Sequence, residues 1–187
     1  MKQNTMIRQL PKLTLRAKIL SVVFALAAAV ALPQILHVAG RALGVGTALG
    51  EIWLPMHLPI LLVGLLAGPA VGGLAGVFAP MLSFLLSGMP VVAALPFMCI
   101  ELCAYGFCTG ALRSMRVPVA VKLLAAQLLG RGVRTLAILL ASVGGHTALT
   151  AGSVWTAVKA GLPGLALQWI LIPLAVWVIE KLHANEK

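Results

Sequence analysis

The sequence predicts an all-α integral membrane protein: a single bundle of six transmembrane helices with both termini cytoplasmic. Three observations lead there. The chain of 187 residues is 61% hydrophobic and only 10% charged, with a mean hydropathy of +1.06, far more apolar than a soluble domain needs. Its apolar residues fall into six stretches that can each cross a hydrocarbon core of roughly 30 Å. Its basic residues gather at alternate connections between those stretches, as the positive-inside rule requires.

The first span is expected over 19–38, ILSVVFALAAAVALPQILHV, behind a basic cytoplasmic tail over 1–18. The apolar run is too long for a signal-peptide core, and hydrophobic segments continue to the end of the chain. The second span, 52–68, is short. The third covers 70–87, the fourth 91–112, the fifth 118–144 and the sixth 160–182, leaving 183–187 as a second cytoplasmic tail. Turn chemistry separates them: GPAVGG, SGMP, RSMRVP and GGHTALTAGS. Pro80 and Pro96 fall inside spans and are expected to kink them. The G-x-x-x-G pairs Gly64/Gly68, Gly72/Gly76 and Gly106/Gly110 mark places where helices approach closely. No solenoid period and no clear inverted repeat is present, which argues against a doubled transporter core.

With the N-terminus inside, Lys2, Arg8, Lys12, Arg16, Lys18, Arg113, Arg116, Lys122, Lys181 and Lys187 all fall on the inner side. Only Arg41 and Lys159 fall outside. The formal charge of +10 is therefore read as a topology signal, with no nucleic-acid partner. Cys99, Cys103 and Cys108 share one apolar segment and read as small buried hydrophobes. The chain carries no P-loop, H-E-x-x-H or G-x-S-x-G motif, and no enzyme activity is expected. Ser83 and Ser87 are expected to hydrogen-bond to a neighbouring helix.

Glu101 stands at the middle of the fourth span, where a carboxylate costs about 3 kcal/mol on insertion scales. Arg131 lies at similar depth on the returning fifth span, so an ion pair is expected. Gln127, Arg131 and Arg134 share one face of that helix, and Gly130 and Gly132 flank Arg131. Two readings stand. In one, the Glu101–Arg131 pair only fixes helix packing. In the other, the polar face lines a solute site, with Arg134 free to meet a carboxylate, phosphate or other electron-rich group.

His37, His57, His146, Glu51, Trp53 and Trp155 map near the outer face. Their spacing is not that of a metal site, and no metal is expected. Trp53 and Trp155 fit interfacial anchoring, and the glycine-rich segment 39–51 fits a lid over the mouth. The candidate solute contacts are Glu101, Gln127, Arg131, Arg134, His57, Gln168 on the sixth span, and Trp155.

Segment 54–90 resembles the substrate-binding (S) components of energy-coupling factor transporters. The features that carry the resemblance are Met56, His57, Leu58, Pro59 and Ile60; then Gly64, Gly68 and Pro69; then Pro80, Ser83 and Phe84. The run ELCAYGFCTGAL, 101–112, is similar to the fourth helix of those proteins. The resemblance implies an S-component-like bundle in a prokaryotic cell membrane. It implies capture of a vitamin or related micronutrient by the outer halves of helices four to six and the loop after helix one. It further implies a transmembrane coupling subunit and two ATPase subunits as partners, so that ATP is used by the partners and no cofactor is held by this chain. A small-residue face on helix one, here Ser21, Ala25 and Ala29, would meet the coupling subunit, with Ala27 and Ala31 as a second register. The alternative is a stand-alone channel or proton-linked secondary carrier for a small polar solute.

Overall fold

The computed structural model describes residues 14–185, and the side chains of 14–182. The expected tail residues Lys2, Arg8, Lys12 and Lys187 lie outside the described residues. Every regular element among the described residues is helical. Six helical segments are long and apolar enough to cross a membrane: 15–42, 48–67, 69–87, 95–114, 119–143 and 162–182. The chain is thus an all-helical, multi-pass membrane protein.

Helix α1, Leu15–Ala42, begins earlier than the hydropathy suggested because Thr14 caps it, its side-chain oxygen accepting from the Ala17 amide at 3.3 Å. Residues 15–18 are therefore helix and not tail. The second span is two helices. Helix α2, Ala48–Trp53, ends where Leu54 takes a left-handed conformation (φ 46°), and α3, His57–Ala67, resumes after Pro55. Gly68 (φ 102°) and Pro69 make the tight reversal into α4, Pro69–Ser87, which contains Pro80 in its interior. Helix α5, Leu95–Ala111, starts later than expected. Pro96 falls in its first turn, where its missing N–H costs nothing, so it opens the helix and does not kink it. Helix α6 is Val119–Val143. A short helix absent from the sequence reading, α7, Ala151–Ala160, precedes the last span, α8, Leu162–Asn185.

Six alternating crossings put both ends of the described chain at one end of the bundle. The other end, the loop end, carries the α1–α2, α4–α5 and α6–α7 connections. Arg16, Lys18, Arg113, Arg116, Lys122 and Lys181 belong to the terminal end, and Arg41 and Lys159 to the loop end.

Close packing of α3, α4 and α5 rests on glycine. A Cβ on Gly72 or Gly106 would strike the backbone of the other, one on Gly76 would strike Leu102, and one on Gly110 would strike Gly68 and Pro69. Without side chains here the backbones meet directly, and dispersion replaces the hydrophobic drive that lipid cannot supply. Around this seam Ile60, Leu61, Leu102, Tyr105, Leu123, Ala126 and Ile172 are fully buried. Phe24, Leu85 and Leu128 stay exposed, as a lipid-facing surface requires.

Ala25 and Ala29 are buried in that same core, so they do not form an accessible surface for a partner. The expected contact face of Ser21, Ala25 and Ala29 is corrected accordingly: small side chains there let α1 sit close against its own bundle. Ser21 is half-buried and donates to the Lys18 carbonyl at 2.8 Å, while Ala27 and Ala31 are exposed. Ser83 and Ser87 meet a neighbouring helix as expected, both accepting from the Gln34 amide of α1, at 3.3 and 2.8 Å.

Gly106→Ala should lower the thermal unfolding midpoint in detergent markedly, by the equivalent of about 1–3 kcal/mol for overpacking. Gly132→Ala, where a Cβ meets nothing within 4 Å, should be neutral or stabilising by up to about 1 kcal/mol.

Candidate functional site

The site is built on the antiparallel pair α5 and α6. Tyr105 follows Glu101 by one turn of α5, so both side chains point to the same neighbour. On α6, Gly130 leaves room for the Tyr105 ring, which a Cβ there would strike. That approach brings α6 close enough for Arg131 and Arg134, three residues apart on one face, to reach the same carboxylate.

Glu101 is completely buried. Its Oε1 forms an ion pair with Arg131 Nη1 at 2.9 Å and accepts a hydrogen bond from the Tyr105 hydroxyl at 3.0 Å. Its Oε2 accepts from Arg134 Nη1 at 2.6 Å. The expected Glu101–Arg131 pair is present. The expectation that Arg134 is free is overturned, because a carboxylate has two oxygens and the i, i+3 spacing supplies a guanidinium to each. Two hydrogen-bond donors, Tyr105 and Arg134, and the ion pair with Arg131 offset the desolvation of the carboxylate. They leave two guanidiniums against one carboxylate, a net charge of one positive unit. Not every donor is used: Arg131 Nε and Nη2 and Arg134 Nε are buried without a hydrogen-bond partner.

His57, at the start of α3, is only 4% exposed, and its ring stands against that of Tyr105 with centroids 5.5 Å apart. Neither ring nitrogen meets a partner at hydrogen-bond geometry.

Arg131, Arg134 and His57 line a cavity of about 550 Å³ at the loop end. Its walls are largely apolar and include Met56, Met89 and Met98. Thr47 and Glu51 of the α1–α2 region border it, as do Ser153 and Thr156 of α7. Segment 39–51, expected as a glycine-rich lid, is ordered differently. Residues through Ala42 belong to α1, Gly44 and Gly46 turn the chain with positive φ, and α2 takes the remainder.

Four of the candidate contacts lie off the cavity lining; Glu101 is buried behind it, held by the two lining arginines. Gln127 and Gln168 form a separate buried tie in which Gln127 Nε2 donates to Gln168 Oε1 at 3.1 Å. Trp169 Nε1 donates to Gln127 Oε1 at 2.8 Å, and Gln168 Nε2 lies 3.5 Å from the Leu54 carbonyl at the α2–α3 break. These groups join α6 and α8 to the interrupted helix and do not line the cavity. Trp155 on α7 is exposed and also lies off the cavity lining. His37 does line it, whereas His146 and Trp53 do not. Among the described residues no group of three or more His, Cys, Asp or Glu could hold a metal ion. Sequence reasoning missed Tyr105, although its i+4 spacing from Glu101 marked it, and it missed Met98 and the α7 hydroxyls, which carry no local signal.

No family model, curated protein or solved structure matches the chain.

Glu101→Ala should destabilise the fold by about 3–5 kcal/mol, because it strands two buried cations. Tyr105→Phe, which removes one of the two hydrogen-bond donors to Glu101, should cost about 1 kcal/mol. Thermal unfolding of the purified variants measures the difference.

Proposed function

We propose that this protein is the solute-capture subunit of an ATP-driven importer for a vitamin or related micronutrient, similar to the S components of energy-coupling factor transporters. The observation that carries this reading is the cavity of about 550 Å³. It lies at the loop end, and Arg131, Arg134 and His57 line it. The buried side chains of Leu102, Tyr105, Ile60 and Leu61 fill the bundle interior. Its volume is that of a small-molecule site, about 300–1,000 Å³. A recess of this kind suits capture better than conduction, which needs a route to both sides.

Orientation follows from charge. The terminal end holds the clustered Arg and Lys residues, which by the positive-inside rule face the cytoplasm. The cavity then opens outward. A chain with no nucleotide-binding motif does not itself supply ATP hydrolysis, so ATP-driven import requires ATPase and coupling partners. The face of Ser21, Ala25 and Ala29 first expected to meet the coupling subunit is packed against the bundle's own core, which leaves the exposed second register, Ala27 and Ala31, for that contact.

Affinity purification of the full chain from its native membrane should yield a complex containing a membrane coupling subunit and ATPases. Solute uptake by that complex in vesicles should require ATP. Arg134→Gln should reduce uptake at least tenfold, as loss of a charged hydrogen-bond donor predicts. Uptake by the isolated chain, driven by a proton gradient without ATP, would establish the secondary-carrier alternative instead.

A further inference from the structure

We infer that the captured solute is a carboxylate monoanion with an apolar body, its carboxylate held by Arg131 and Arg134 beside His57. This rests on the cavity being the capture site, though not on the identity of the ATPase partners.

Charge favours a monoanion. Glu101 neutralises one guanidinium and leaves the other uncompensated. The remaining carboxylate on the cavity lining is Glu51, which is exposed at the rim and engaged by the Thr47 hydroxyl at 3.2 Å. Solvent screens a rim charge far more than a buried one. The field inside the recess is therefore positive by one unit, and one negative charge balances it. A phosphate monoester brings nearly two.

Unused donors favour a carboxylate. Arg131 spends only Nη1 on Glu101, so Nε and Nη2 stay buried without a partner. Together they form one complete edge of the guanidinium fork, the geometry that matches a carboxylate in two parallel hydrogen bonds. His57 adds an imidazole that is almost fully buried and lines the same cavity, with neither nitrogen in a well-formed hydrogen bond and the Leu54 backbone close to the ring. Buried donors without acceptors are costly, and a carboxylate supplies acceptors to several at once.

The rest of the lining favours an apolar body. Met56, Met89 and Met98 line the cavity. Thioethers beside an imidazole resemble a soft-metal site, but a cation would meet the uncompensated guanidinium. The sulfurs therefore serve as adaptable apolar contacts, suited to a flat or aromatic body.

The test uses the purified full chain in lipid-free detergent micelles, with benzoate, benzamide, benzylammonium and phenyl phosphate titrated against its thermal midpoint. Benzoate should stabilise the protein with an apparent Kd roughly tenfold or more below that of benzamide. Benzylammonium should give no shift. Arg131→Gln and Arg134→Gln should reduce the benzoate response to the benzamide level. The comparison among ligands on the unmodified protein stands even if a variant fails to fold. Equal or tighter binding of benzamide, benzylammonium or phenyl phosphate overturns the inference, as does the absence of any benzoate shift at millimolar concentration. Displacement of benzoate by added phosphatidylglycerol would assign the anion site to a lipid headgroup and also overturn it. None of these readouts involves ATP, so failure here leaves the import reading standing, and failure of ATP-dependent uptake leaves this charge preference standing.

Discussion

A carboxylate with no access to water must find its hydrogen bonds inside the protein, and Glu101 organises this bundle around that need. Tyr105 supplies one donor from the same helix. The others come from α6, so the depth and rotation of α6 against α5 are fixed by the reach of two arginine side chains. Gly130 is part of the same arrangement, since a larger residue would hold α6 off the Tyr105 ring. The interaction that locates the helices is thus the one that carries the site's charge. Of the two roles first open to Glu101, packing and solute site, the geometry gives it the first directly. It gives the lining positions to its two cationic partners.

The bundle is not packed evenly, and that unevenness leaves room for a cavity. Helices α3, α4 and α5 meet backbone to backbone through glycines, which leaves no room for a side chain at those contacts. At the loop end the second span is interrupted at Leu54, and the recess forms beside that interruption. Broken helices within a membrane need their freed polar groups covered. Gln168 approaches the Leu54 carbonyl from α8 and is tied in turn to Gln127 and Trp169. Gln127 and Gln168, candidates for solute contact, instead brace the wall beside the recess.

Much of the architecture was legible from composition alone. Six spans followed from runs of apolar residues, because in hydrocarbon a helix is the only isolated segment that satisfies its own backbone. Glu101 and Arg131 were legible as partners because antiparallel neighbours place mid-span residues at equal depth. The glycine pairs pointed to the tightest contacts for an equally local reason. Other features had no such signature. Helix α7 is short and lies in a stretch whose loop-like composition hid it. The break at Leu54 depends on one left-handed residue, and leucine gives no warning of that conformation. The fate of Ala25 and Ala29 was equally hidden, since small residues signal a close neighbour without saying whether it belongs to the same chain.

The sequence by itself determined the medium, the number of crossings and the expense of placing charge among them, because these depend on residue type and spacing along one chain. Only the tertiary structure decided that Arg134 joins Arg131 on a single carboxylate, that the glutamines lie off the cavity, and that methionines and a buried histidine share its lining. The reason is physical. Which side chains surround an empty volume depends on how helices rotate and where they break, and those are settled by contacts between segments far apart in the chain.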